Sequence, residues 1–305
     1  VLPTDQLAGR RADSGTHDPR SLMPLDFWAR LAEPLSWGYM QHALAASVLV
    51  GVICSVIGCF VVLKGMAFLG DAMAHAILPG VAVAYLWQVN PLVGGLIAAV
   101  VVALLIGWVS RQGVIKEDTA IGVLFAAALS LGVAMISSVR SYAVDLSHFL
   151  FGNVLGVSVT DLWLMMGLGA VVLGTVALLY KELVVVAFDP VLAATLRLPV
   201  QRLTYLLLVL LALAIVASMS TVGVGLVAAM LVTPAATAYL LTRRLPSMML
   251  LAAALGALSG LVGLYWSYYA NIASGAAIVL TASILFGLAF LLNPRQGALW
   301  TLLRR

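Results

Sequence analysis

Residues 70–80 read G-D-A-M-A-H-A-I-L-P-G, and they set an aspartate and a histidine inside a stretch, about Phe68 to Leu86, that is otherwise apolar enough to cross a bilayer. At about 100° per residue, Asp71 and His75 differ by one turn and a little. A helix therefore carries both side chains on one face, about 6 Å apart along its axis. That is a spacing for two ligands to one metal ion. A carboxylate at the centre of a membrane helix costs roughly 2.5–3.5 kcal/mol on insertion scales, so such a residue reads as a functional group whose partner must be named. The nearest partner is His75. On these residues alone a plainer reading stays open: Asp71 lies seven positions after Lys64, close enough to be an ordinary polar helix end, with His75 a satisfied interior histidine.

The rest of the chain supports the bilayer. It is 63% hydrophobic and 9% charged, whereas a water-soluble domain is typically about 25% charged. Runs such as Val93 to Ser110, Leu203 to Ala217 and Met248 to Leu264 approach the roughly 20 residues of a membrane-spanning helix. A barrel would show alternating strands of about ten residues instead. The expected fold is all-α, a polytopic transmembrane bundle of about eight or nine spans. Its formal charge of +4 does not mark a nucleic-acid binder, because the basic residues fall in short loops on one side. Lys64, Arg111, Lys116, Lys181, Arg197, Arg202, Arg243, Arg244, Arg295, Arg304 and Arg305 share that side, against Arg140 alone on the other. The first face is thereby cytoplasmic, and an odd number of spans puts the N-terminus outside. One half of Leu203 to Thr242 being re-entrant would reduce nine spans to eight.

Residues 1–24 are polar and turn-rich, without the apolar stretch of a secretory signal, and are expected to be a disordered or expression-derived tail. Residues 25–42 interleave Phe27, Trp28, Trp37 and Tyr39 with Asp26, Arg30 and Glu33, as an amphipathic segment at the membrane interface does. The transmembrane domain is expected over 43–294, with an inner loop at 181–202 and a cytoplasmic tail at 295–305. Cys54 and Cys59 point about 140° apart on a helix, which suits packing rather than a disulfide. Pro79 and Gly80 interrupt the helix that carries Asp71 and His75, and irregular backbone beside ionisable groups suggests a lined cavity. Thr233, Pro234 and Thr237 allow two readings, a proline kink with local threonine bonds or the lining of a pathway. Asp189-Pro190 and Pro199 bracket a short helix-compatible stretch, Val191 to Leu198, too short to span. Lys64, Lys116 and Lys181 are not followed by Ser or Thr, so no phosphate loop of the Gly-Lys-Ser/Thr type is present. Any ATP must be bound by another chain.

Five stretches taken together resemble one family. K-G-M-A-F-L-G-D-A-M-A-H-A-I-L-P-G at 64–80, E-D-T-A-I-G at 117–122, F-G-N-V-L-G at 151–156, D-P-V-L-A-A-T-L-R-L-P at 189–199 and T-P-A-A-T at 233–237 are similar to the membrane subunits of ATP-driven zinc, manganese and iron importers. The resemblance runs from about Trp37 to about Leu292. It implies the permease subunit of an ABC importer in a prokaryotic plasma membrane, with a cytoplasmic ATPase subunit, an extracytoplasmic metal-binding protein and membrane lipid as partners. It implies no nucleic acid, and no permanently bound cofactor beyond the transported ion. It also implies that a short cytoplasmic helix docks into the ATPase through Asp189, Pro190, Ala193, Leu196, Arg197 and Pro199. At Arg197 the sequence departs from the family pattern, where glycine is usual, and this suggests a charge-assisted contact in place of a close backbone approach. His148, on the outer side, allows two readings: assisting metal capture, or a plain surface histidine.

Two ligands leave a metal site short of the four or more that a transition ion usually takes. A homodimer with Asp71 and His75 of both copies at its two-fold axis would complete it. Imidazole with carboxylate suits Mn²⁺, Zn²⁺ and Fe²⁺ alike, so the ion is not legible. The alternative function is a secondary, ion-coupled divalent metal transporter, which would need no docking loop and would usually show more intramembrane carboxylates.

Overall fold

The computed structural model describes residues 33–137 and 154–292, and all regular structure among them is helical. The chain runs through α1 (Gly38–Leu63), α2 (Ala67–Ala76), α3 (Leu78–Leu86), α4 (Pro91–Arg111), α5 (Glu117–Ser137), α6 (Val159–Leu178), α7 (Tyr180–Phe188), α8 (Pro190–Thr195), α9 (Val200–Val222), α10 (Val224–Leu241), α11 (Leu245–Ala270) and α12 (Ser274–Leu292). Short 3₁₀ turns precede α1 and α6, at Pro34–Ser36 and Val154–Gly156.

Among the described residues, eight segments are long and apolar enough to cross a membrane, with α2 and α3 together forming one of them. The apolar part of α10, Gly225–Leu241, is shorter. Leu226, near its start, lies at 3.6 Å from the position a Cβ would take on Gly275, at the start of α12. Its other end leads directly to Arg243 and Arg244. The break between α9 and α10 is the single residue Gly223, at φ 80°, a left-handed conformation that glycine alone adopts without steric cost.

Helix α1 is the axis of the bundle. Of its most apolar window 72% is buried, against 17% for α5 at the periphery. Lipid tails are as apolar as leucine, so helices associate in a bilayer through close packing rather than through removal of apolar surface from water. The seams accordingly hold small residues. Gly51 of α1 meets the backbone of Gly256 in α11, Gly260 meets Ser47, and Gly58 meets the Leu231 carbonyl and Ala235 of α10. On the far side, Gly80 of α3 and Gly94 of α4 bring two backbones into contact, and a side chain on either would collide with the other's carbonyl oxygen.

Several boundaries differ from those read in the sequence. The first span begins at Gly38 rather than near Ala43, so residues 38–42 belong to α1 instead of an interfacial segment. Trp37 and Tyr39 do sit at an aromatic helix end, with ring centroids 6.1 Å apart, and Tyr268 and Tyr269 form a second, edge-to-face pair. Much of 181–202 is helical, because after a break at Leu179 the chain re-enters helix as α7, which buries Leu183 and Val186. Cys54 and Cys59 are free thiols in the core. Cys54 Sγ lies 3.3 Å from Ser218 Oγ of α9, and Cys59 donates to the Ser55 carbonyl of its own helix at 3.3 Å.

Candidate metal centre and cytoplasmic surface

Asp71 and His75 lie on one face of α2, as their spacing requires. The His75 Nδ1 is 3.5 Å from Asp71 Oδ1 and 3.0 Å from the Asp71 backbone carbonyl oxygen. A carbonyl can only accept, so Nδ1 carries the ring proton and Nε2 keeps its lone pair. This backbone contact orients the imidazole and, in the neutral ring, leaves Nε2 with a lone pair that could ligate an ion, as a second hydrogen bond does for ligating histidines. The two side chains remain 27% exposed for His75 and 45% for Asp71, although Gly70, Ala72, Met73 and Ala74 around them are buried. Within a span, such polar exposure faces a water-filled cavity or another chain, not hydrocarbon.

Phe125 of α5 packs its ring edge-to-face on His75, with centroids 5.8 Å apart, and Phe68 packs on Phe125 at 5.7 Å. The sequence reading did not single out either ring. Phe125 is remote in sequence and looks like any other apolar residue of a span, so no local signal identifies it. Among the described residues no group of three or more His, Cys, Asp or Glu side chains could hold an ion. One copy of the site therefore offers a bidentate pair and no more.

The helix ends just past that pair. Proline has no N–H, so Pro79 leaves the His75 carbonyl without its usual donor four residues on. The Ile77 N–H turns back onto that carbonyl instead, and Gly80 and Val81 then donate to the Ile77 carbonyl to begin α3. Pro79 thus separates α2 from α3 at Ile77, two residues past His75. Gly80 permits the close approach to α4 that holds α3 in place.

Pro234 and Thr237 both change the hydrogen bonding of α10. Pro234 lies inside α10 and by the same logic frees the Met230 carbonyl, which accepts from Ser55 Oγ of α1 at 3.5 Å. Thr237 is buried and donates to the Thr233 carbonyl at 2.7 Å. The Ser55 contact joins α10 to α1, while the Thr237 bond stays within α10. The helix still bears on the metal helix, because Leu231 packs over Gly70.

At the basic end, α8 occupies Pro190–Thr195, shorter than the stretch to Leu198 read from the sequence. Asp189 caps it, its carboxylate accepting from the amides of Val191 and Leu192 at 3.0 Å each, and Pro190 holds the first helical position, where its missing donor costs nothing. Ala193 is buried, whereas Val191, Leu192 and Leu196 are exposed, a surface that water leaves unsatisfied. The helix stops because Arg197 takes φ 57°, after which the Leu198 amide returns to the Ala193 carbonyl. The position where glycine is usual is therefore a left-handed helix terminus. Arginine there bears the steric cost that glycine avoids, roughly 1–2 kcal/mol. Pro199 directly precedes α9. His148, like Arg140, lies outside the described residues.

Comparison with known proteins agrees with this anatomy. Residues 36–293 match the ABC 3 transport family. The chain is 53% identical over 265 residues to the manganese transport system membrane protein MntC of Halalkalibacterium halodurans, covering 87% of this chain and 91% of that protein. It is 43% identical over 258 residues to the manganese import system permease protein ScaB of Streptococcus parasanguinis, covering 85% and 92%. Among solved structures, PsaBC from Streptococcus pneumoniae in complex with Fab superposes with a TM-score of 0.80 at 38% identity, covering 92% of this chain and all of that one. With its family match spanning nearly every described residue, and with relatives of this identity over most of their length, the chain belongs to the ABC 3 transport family of membrane permeases.

Proposed function

We infer that this protein is the membrane-spanning subunit of an ABC importer that carries manganese into the cytoplasm, with ATP hydrolysed by a separate subunit. The observation that carries the reading is the Asp71–His75 pair, a hard carboxylate and an oriented imidazole held on one exposed face inside a span. The names of the relatives favour manganese, and a site of mixed oxygen and nitrogen donors accepts that ion. Two protomers related by a two-fold axis would bring two such pairs together and complete the coordination, with Pro79 and Gly80 shaping the helix beside the pathway. The bias of basic residues in the loops supports a cytoplasmic basic end, and with it a docking role toward the ATPase for α8 and its exposed Val191, Leu192 and Leu196. An extracytoplasmic metal-binding protein would deliver the ion on the opposite face. The ion-coupled alternative draws no support from the carboxylates: among the described residues, Asp71 is the acidic side chain set within a span, while Glu117, Asp118 and Asp161 sit in first turns.

The test is purification with the candidate ATPase, followed by uptake of radioactive manganese into proteoliposomes. ATP-dependent uptake with a co-eluting ATPase supports the reading. Uptake driven by a proton gradient without ATP would establish the alternative.

A further inference from the structure

We propose that a cavity at the basic end of the bundle, between the ends of α1, α4 and α9, binds a phosphate-bearing anion, either the headgroup of an anionic phospholipid or free phosphate. The cavity measures about 380 Å³, within the usual size of small-ligand sites. Its polar wall is Lys64, Ser110, Arg111, Glu117, Gln201 and Thr204. Three observations select the ligand. Ser110 lines the cavity, and its hydroxyl, buried and without a hydrogen-bond partner among the described residues, would reach an acceptor there by rotating its side chain, relieving a cost of about 1–3 kcal/mol. Two cations, Lys64 and Arg111, face the single carboxylate of Glu117, so the wall is short of negative charge and disfavours a metal ion. Finally, α9 starts after Pro199 with no side-chain cap, so the positive end of its dipole meets the cavity at Gln201 and Thr204.

Burial pulls the Lys64 ammonium below its ordinary range, and Glu117 offsets this in part; an anion in the cavity would complete the compensation. The site lies at the ends of the spans, the level at which lipid headgroups sit, and basic pockets between helices on this side of a membrane recognise such headgroups. Pro190, the first residue of α8, forms part of the same wall. Occupancy would therefore tie α8 to α4 and α9.

The experiment uses the purified full chain in nanodiscs of phosphatidylcholine with a minor fraction of phosphatidylglycerol. Lipid retained after partial delipidation is read by native mass spectrometry, and equilibrium dialysis measures inorganic phosphate binding. Ser110→Ala removes only an unpartnered hydroxyl and should leave the fold intact. Lys64→Gln removes one charge, and Arg244→Gln, on an exposed cation elsewhere on the same end, controls for general surface charge. Wild type should retain phosphatidylglycerol, with Lys64→Gln and Ser110→Ala each lowering retention roughly ten-fold and Arg244→Gln leaving it unchanged. The same variant pattern in phosphate dialysis without lipid retention identifies free phosphate as the ligand. Binding of neither, or equal losses in Lys64→Gln and Arg244→Gln, overturns the proposal.

Discussion

Ser55 of α1 donates its hydroxyl across a helix interface to the backbone carbonyl of Met230, 3.5 Å away, the carbonyl that Pro234 leaves without its intrahelical donor. The pair converts a helix defect into a contact between α1 and α10. Ser55→Ala should therefore destabilise the folded protein by about 0.6–1.7 kcal/mol, the range of interhelical side-chain hydrogen bonds in membranes. In a Pro234→Ala background, where the helix regains its own donor, the same change should cost almost nothing. Thermal unfolding of the four proteins in detergent closes the cycle, and equal costs in both backgrounds would show that the Ser55 bond is idle.

The metal pair should separate passage from folding. Asp71→Ala and His75→Ala are each expected to lower manganese uptake by at least about ten-fold, since each removes half of the ligands one protomer provides. Size-exclusion behaviour and association with the ATPase should stay as in wild type, because both side chains are partly exposed and the ring contact of His75 with Phe125 is worth only about 0.5–1.5 kcal/mol. Near-normal uptake by either variant would remove the pair from the pathway.

Phe125 positions rather than ligates. Its edge-to-face contact with His75 is worth about 0.5–1.5 kcal/mol, so Phe125→Ala should release the imidazole to other rotamers. Uptake is expected to require a higher manganese concentration for half-saturation, with Phe125→Tyr restoring the wild-type value. An unchanged concentration dependence in Phe125→Ala would count against this role.

Arg197 sets two effects in opposition. Arg197→Gly relieves the left-handed backbone and should raise stability by roughly 1 kcal/mol, visible as a higher melting temperature. Arg197→Glu keeps the backbone cost and reverses the exposed charge, and should weaken ATPase association in a pull-down. If Arg197→Gly binds the ATPase as tightly as wild type, the guanidinium makes no contact of consequence and the position is purely conformational.

Much of this protein is written in local order. Apolar runs near 20 residues, one-sided arginines and lysines, and the i, i+4 spacing of Asp71 and His75 are properties of a linear string, because helix periodicity and bilayer thickness are the same everywhere along a chain. Both prolines that remove a donor from a helix, Pro79 just past the end of α2 and Pro234 inside α10, were legible for the same reason: a missing N–H acts on the residue four positions back wherever it occurs. Tertiary structure decided what those positions meet. Ser55 answers Met230 from 175 positions away, Phe125 of α5 braces His75 of α2 across an intervening span, and Gly51 finds Gly256. In a bilayer every face of every span is apolar, so composition says little about which face turns to which neighbour. Only the close approach of specific small residues and the pairing of specific freed carbonyls select one arrangement. Arg197 shows the same division within a single residue: its replacement of glycine was visible in the string, while the positive φ that gives the replacement its cost exists only once α8 has ended and the chain has turned into α9.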